Sequence, residues 1–154
     1  MRKALERSGV SLAMDLKQMY REIVNEHNLH PTHKHEMADP TVVLRGVNPS
    51  CGDDINLQLK IEDGIITDGS FTGTGCAISQ ASADMMLDII IGLPEAEAER
   101  LADLFMRMIK GEASPEEIEE LDEAAALQDI SHMPARVKCA QLGWRTVEEI
   151  IRRQ

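Results

Sequence analysis

The stretch Ile55 to Glu62 constrains the chain more than any other, because Ile55, Leu57, Leu59 and Ile61 alternate with Asn56, Gln58, Lys60 and Glu62. Successive strand side chains point to opposite faces, so this order predicts one face in a core and the other in water. Asp63-Gly64 follows at once, and that pair is favoured where both turn positions take positive φ. Ile65 to about Thr72 is expected to return antiparallel. Thr41 to Val47 supplies an earlier strand, and a three-stranded antiparallel sheet is the economical arrangement.

Such a sheet needs helices to cover it. Ser11 to about Glu26 places Leu12, Leu16, Met19, Tyr20 and Ile23 at spacings of three and four, which predicts an amphipathic helix docked on the sheet. Residues 28 to 40, with Pro31, Pro40 and several histidines, read as a loop. After Cys76 the period changes, and Ile78, Met85, Met86, Ile89 and Ile90 fit a helix ending near Gly92. A second helix from about Pro94 would bury Leu101, Leu104, Phe105 and Met108 and stop at Gly111. Ser114-Pro115-Glu116-Glu117 has the form of a capping box with proline at the first helical position. The last helix would carry Ala140, Trp144, Val147 and Ile151 inward. Strands first and helices after predict an α+β domain, with residues 1–154 as a single unit.

A chain of 154 residues can bury a core without disulfides. Only Tyr20, Phe71, Phe105 and Trp144 are aromatic, so that core must be mostly Leu, Ile, Val and Met. The formal net charge of -11 argues against nucleic acid as a partner. Most of this charge lies between Glu95 and Asp129, where twelve acidic and three basic residues form either a solvated helical face or a docking surface for a basic partner. No apolar stretch approaches a membrane span, and residues 1 to 20 lack the core of a signal peptide. A cytoplasmic location without membrane contact is expected.

Three cysteines cannot complete a set of internal disulfides. Cys51 lies in the loop Asn48-Pro49-Ser50-Cys51-Gly52-Asp53, and Cys76 lies where a strand hands over to a helix in Gly73-Thr74-Gly75-Cys76-Ala77. Cys139 follows Pro134-Ala135-Arg136-Val137-Lys138, so two cations and a helix start are expected to favour its thiolate. Inert thiols usually hide on apolar stripes, and none of the three occupies an obvious one. Shared metal binding is the leading reading. Three thiolates suit Zn²⁺, Cu(I) or an iron-sulfur cluster, and tetrahedral zinc needs a fourth ligand. Asp53, two residues past Cys51, is the nearest candidate, and His132 is a weaker one. His30, His33 and His35 form a competing set, although a polar loop accounts for them equally well. The Gly73 to Ile78 segment imitates a dinucleotide fingerprint but has Ile78 where a small residue is needed.

Asn48-Pro49-x-Cys51-Gly52-Asp53, Gly73-x-Gly75-Cys76-x-Ile78-Ser79-x-Ala81-Ser82 and Pro134-Ala135-Arg136-Val137-Lys138-Cys139 together resemble the IscU/NifU-like iron-sulfur cluster assembly family, most closely its SufU branch. The resemblance runs from about Leu16 to Ile151. It implies a three-stranded antiparallel sheet packed with helices, with the three motifs meeting at one end. It also implies that Cys51, Asp53, Cys76 and Cys139 are zinc ligands. Scaffold members related to IscU have a histidine before the last cysteine, where this chain has Lys138, and their chaperone-recognition motif is replaced by Met133 to Lys138. The acidic helical segment, about residues 94–130, looks like the insertion that marks SufU.

The branch implies a zinc-dependent sulfur acceptor. Its partners would be a SufS-type pyridoxal-phosphate cysteine desulfurase and downstream iron-sulfur assembly proteins. The implied route has a desulfurase histidine replace Cys51 on zinc, freeing Cys51 to take the persulfide sulfur. Arg136 and Lys138 would offset the negative charge of the site or contact the partner, unless they are simply solvated cations. The alternative function is an iron-sulfur cluster scaffold, with a cluster in place of zinc.

Overall fold

The computed structural model describes residues 12–153, with side-chain environments from residue 16 onward. Ser11, the expected helix start, and residues 1–10 lie outside the described residues, as does the side-chain placement of Leu12.

The sheet follows from the alternation that predicted it. Strands β1 (Val42–Asn48), β2 (Asp53–Glu62) and β3 (Ile65–Thr74) lie in the order β1-β2-β3, antiparallel throughout. Asp63 and Gly64 have φ of 51° and 76°, the paired positive values of a tight hairpin turn. Nine residue pairs join β2 and β3, and a register irregularity between Lys60 and Ile61 skips Thr67. Ile55, Leu57, Leu59, Ile66 and Phe71 are fully buried.

The expected wet face is only partly wet. Gln58 is buried, and its Oε1 accepts from the Met37 N–H at 3.2 Å. The cause is the segment before β1, which runs beside β3 and places the His33 carbonyl 2.9 Å from the Phe71 N–H.

Helix α1 (Leu12–Leu29) runs three residues beyond the expected end and packs on helix α2 (Ala77–Ile90) instead of on the sheet. Helix α2 is the central helix, packed between α1, β3 and the last helix, and it is buried almost all round. That position explains why Ser79, Gln80, Ser82 and Asp84 lie inside the molecule.

Helix α3 (Glu95–Ile109) buries Leu101, Leu104, Phe105 and Met108 as its periodicity requires, and the chain turns away at Gly111 with φ of 77°. Outside, Arg100 pairs with Glu97 and Glu120, and Arg107 with Asp103 and Glu117, so cations stitch the acidic face together. The short helix α4 (Pro115–Glu119) has the complete Ser114/Glu117 capping box. A 3₁₀ helix, Asp122–His132, then buries Ala124, Ala125, Ala126, Leu127 and Ile130.

Helix α5 (Pro134–Arg152) lies against α2, α3 and β1, which brings one end of the sheet to its first turns. Trp144 stacks on Phe105 with ring centroids 4.4 Å apart and planes 9° from parallel. Its Nε1–H donates to Ser82 Oγ at 3.1 Å, and the Ser82 hydroxyl donates to the Ala140 carbonyl at 2.7 Å. Among the described residues no helix is long and apolar enough to cross a membrane.

Candidate metal centre

Three chain segments meet at the end of the sheet where β1 turns into β2. Asn48 and Asp53 face each other across the β1/β2 pair, and the loop between them carries Cys51. Gly52 has φ of 71° with open space around it, a conformation that a residue with a Cβ adopts only at a cost. The turn therefore presents the Cys51 side chain at the surface, partly exposed.

Asp53 opens β2 and is fully buried. Its Oδ1 accepts from the backbone N–H of Cys76, the N-cap of α2, at 2.9 Å and from the hydroxyl of Ser79 in the first turn at 3.0 Å. Its Oδ2 accepts from Asn48 Nδ2 at 3.0 Å. Burial alone would raise the Asp53 pKa, but the Cys76 N–H, the Cys139 thiol, the Asn48 amide and the Ser79 hydroxyl outweigh it and hold the acid below its usual range. Asp53 is thus a buried carboxylate kept charged by four donors.

The Asn48 amide also lies 3.5 Å from Cys139 Sγ and so bridges the carboxylate and the sulfur. Single ligand atoms of Cys51, Asp53 and Cys139 lie within 4.8 Å of one another, close enough to share one ion. Cys76 stands beside this trio, its backbone N–H donating to Asp53 Oδ1 at 2.9 Å, but its sulfur is not among the ligand atoms that close to within that distance. Of the four side chains named from the sequence, Cys51, Asp53 and Cys139 are brought together, and Cys76 lies next to them through its backbone contact with Asp53.

One expectation is overturned. Cys139 sits within α5, not at its boundary, is fully buried, and has its thiol pKa pushed far up instead of down. Burial is the largest cause, followed by hydrogen bonds with Cys51, Asp53 and Cys76, all three of them acidic groups. Arg136 is within hydrogen-bonding reach of Cys139 and near all three sulfurs, which raises its own pKa, yet it does not reverse the effect of burial. Lys138 is exposed.

A buried thiol beside a buried charged carboxylate and two further thiols is a costly arrangement for an apolar core. It suits a thiophilic cation, which would displace the proton that Cys139 otherwise keeps. Three sulfurs and one oxygen match the ligand types and number of tetrahedral zinc, and the sulfurs equally suit iron in a cluster.

The histidines named as a competing set do not gather. His33 Nε2 lies 2.7 Å from Asp88 Oδ1, His35 Nδ1 contacts the Glu36 carbonyl at 2.9 Å, and His30 is exposed. His132 is exposed at the end of the 3₁₀ helix.

His27 forms a second polar cluster that the sequence did not suggest. Its Nδ1 lies 2.7 Å from Asp84 Oδ2, and its Nε2 lies 3.0 Å from Glu123 Oε1. Both ring nitrogens are engaged by carboxylates, so the cluster is an ion-paired clamp between α1, α2 and the 3₁₀ helix. Asn48 and Ser79 gained no individual role from the sequence, although both lie inside the motif segments. Short polar residues in a loop and at a helix start look solvated until the fold closes over them.

The family model described as NifU-like N terminal domain matches residues 19–140. The iron-sulfur cluster assembly scaffold protein IscU of Streptococcus pyogenes serotype M1 is 39% identical over 138 residues, covering 90% of this chain and 86% of that protein. The zinc-dependent sulfurtransferase SufU of Bacillus subtilis (strain 168) is 37% identical over 140 residues, covering 91% and 94%. The crystal structure of a protein from Fervidobacterium islandicum AW-1, described as a putative iron-sulfur cluster assembly scaffold protein for the SUF system, superposes with a TM-score of 0.79 at 32% identity, over 86% of this chain and 96% of that one.

Proposed function

We propose, from the premise that this chain belongs to the NifU-like N-terminal domain family of iron-sulfur cluster assembly proteins, that it is a SufU-type sulfur acceptor for a pyridoxal-phosphate cysteine desulfurase of SufS type. Cys51, Asp53, Cys76 and Cys139 would hold one Zn²⁺, which when bound keeps the three thiols deprotonated at neutral pH. The protein would work in the cytoplasm and pass its sulfur to downstream iron-sulfur assembly proteins.

The division of labour among the residues supports this reading. Cys139 is buried and Asp53 is locked by three hydrogen-bond donors from Cys76, Ser79 and Asn48, so both suit holding. Cys51 is partly exposed on a glycine-supported turn, with the Ala135 carbonyl 3.5 Å from its sulfur, so it can meet a partner without unpacking the core. In transfer, the Cys51 thiolate attacks the outer sulfur of the desulfurase persulfide. A new sulfur–sulfur bond forms on Cys51, the partner's bond breaks, and the partner's cysteine leaves as a thiolate. Arg136, near all three sulfurs, offsets the charge they develop.

The observation that carries the SufU-type assignment is Lys138. It occupies the position before Cys139 where scaffold relatives place a ligating histidine, and it is exposed. The acidic helical segment, about residues 94–130, looks like the insertion that marks that branch and supports the same reading. The scaffold reading is favoured by the IscU relative at 39% identity, and it requires a cluster on the same cysteines.

Alanine release from cysteine by the desulfurase, measured with the zinc-loaded chain and with its Cys51→Ala variant, separates the two. Stimulation by the wild type and its loss in the variant are expected. A stable chromophore that reconstitutes anaerobically and transfers intact to an apo-protein, without stimulation by zinc, would establish the scaffold instead.

A further inference from the structure

Gln80 is 4% exposed, and among the described residues neither Oε1 nor Nε2 has a hydrogen-bond partner. A buried primary amide with no partner is destabilising, because it forgoes up to four hydrogen bonds that water would have made. A buried group of this kind calls for an explanation. Two neighbouring features say where the amide points.

The first is helical position. Gln80 lies in the first turn of α2, its N–H donating to the carbonyl of the N-cap Cys76 at 3.1 Å, so it stands over the helix end that holds Cys76. Helical side chains lean toward the N-terminus, which here is the end that holds Cys76. The second is Gly75. A methyl group placed there would sit 2.7 Å from Asp53 Oδ1 and 3.1 Å from Gln80 Nε2, and it would also collide with Ser79 Oγ. The Gln80 amide nitrogen and the Asp53 carboxylate therefore border one small space beside Cys76, kept open by the missing side chain of Gly75.

We infer that Gln80 is a positioning residue of the metal centre, whose amide N–H is held ready for the sulfur of Cys76 once that sulfur carries charge. Asp53 Oδ1 already accepts from two donors, whereas Cys76, the residue after Gly75, would bring a metal-bound thiolate to the same small space. Three thiolates and a carboxylate around a divalent cation leave a formal excess of two negative charges in a largely buried place. A neutral amide donor stabilises that excess without adding a proton that could be lost. On zinc loading, the charged ligand set would supply the partner that the surrounding side chains do not.

This inference rests on the proposed zinc centre and predicts two effects of opposite sign. Gln80→Met preserves size and helix propensity but removes the donor. Zinc affinity, measured by competition with a chromophoric chelator, is expected to fall about tenfold, the scale of lost outer hydrogen bonds to metal ligands. The urea midpoint of the metal-free variant is expected to equal or exceed that of wild type. Gln80→Leu provides the same comparison should the methionine variant fail to fold. Zinc affinity within twofold of wild type, together with a lowered metal-free midpoint, would make Gln80 a packing residue and overturn the inference. Zinc uptake by wild type without desulfurase stimulation would sink the sulfur-acceptor reading alone. Failure of wild type to take up zinc would overturn both.

Discussion

His27 Nδ1 lies 2.7 Å from Asp84 Oδ2, an ion pair that fastens the first helix to the helix beginning just after Cys76. Burial by itself would lower the His27 pKa, but hydrogen bonds with the Asp84 and Glu123 carboxylates more than reverse this and raise it from 6.5 to about 9. Asp84 is held below the usual range against its own burial, by His27 and by the His33 and Thr32 backbone N–H groups.

The signs give a stability window. A raised histidine pKa stabilises the fold fully below about 6.5, and this contribution is lost as pH rises through about 9. A lowered carboxylate pKa acts oppositely, and its contribution is lost as pH falls through the lowered value. Unfolding midpoints of the metal-free protein should therefore decline between pH 6.5 and 9. The loss should be about 2 kcal/mol, reduced from the full value because Glu123 is half-exposed and screened. His27→Gln should flatten that decline, and an unchanged slope in the variant would show that His27 does not govern it.

Cys51→Ala should leave the metal-free fold within about 0.5 kcal/mol of wild type, since its side chain is partly exposed and its contact with the Ala135 carbonyl is long, 3.5 Å. Persulfide labelling after incubation with the desulfurase and cysteine should vanish in the same variant. Labelling at the wild-type level would assign the acceptor role to another thiol.

Asp53→Ala should be costly before any metal is added. Removing the carboxylate strands the Cys76 N–H, the Ser79 hydroxyl and the Asn48 amide in a buried place, a loss of about 3 kcal/mol by urea denaturation. Zinc content after refolding with metal, read by elemental analysis, should fall well below one ion per chain.

Ser114→Ala tests the acidic segment independently of the site. The serine hydroxyl accepts from the Glu117 N–H at 3.2 Å, and the Glu117 carboxylate accepts from the Ser114 N–H at 3.0 Å. Losing one half of this reciprocal cap should cost about 1 kcal/mol in thermal or urea unfolding, with zinc affinity unchanged.

The sheet was legible because two independent signals agreed there. The alternation of Ile55 to Glu62 fixed which face is buried, and Asp63-Gly64 fixed where the strand turns. Helix α3 was legible for a related reason, since Leu101, Leu104, Phe105 and Met108 recur at helical spacing. The 3₁₀ helix was not, because Ala124-Ala125-Ala126 carries no periodic contrast and is buried by tertiary packing. The docking of α1 on α2 was also hidden, because an amphipathic stripe reveals that a face is buried but not against what.

At the site, the sequence showed the cysteines and the nearby carboxylate, and motif resemblance supplied their convergence. It could not show that Cys139 is the buried member whose thiol pKa is pushed up, because Arg136 and Lys138 argued locally for a thiolate and burial is a property of the whole fold. Nor could it show that Asn48 joins Asp53 to Cys139, a contact that spans 91 positions between the amide and the sulfur.

Trp144 is the chain's single tryptophan, and its position makes the protein its own optical reporter. The ring lies on the helix of Cys139, stacked on a residue of the acidic segment and hydrogen-bonded to the helix that opens at Cys76. Its emission should therefore be that of an indole shielded from water. A change in colour or intensity during metal loading or partner docking would arise from one place, the junction of all three elements, without a label having been attached.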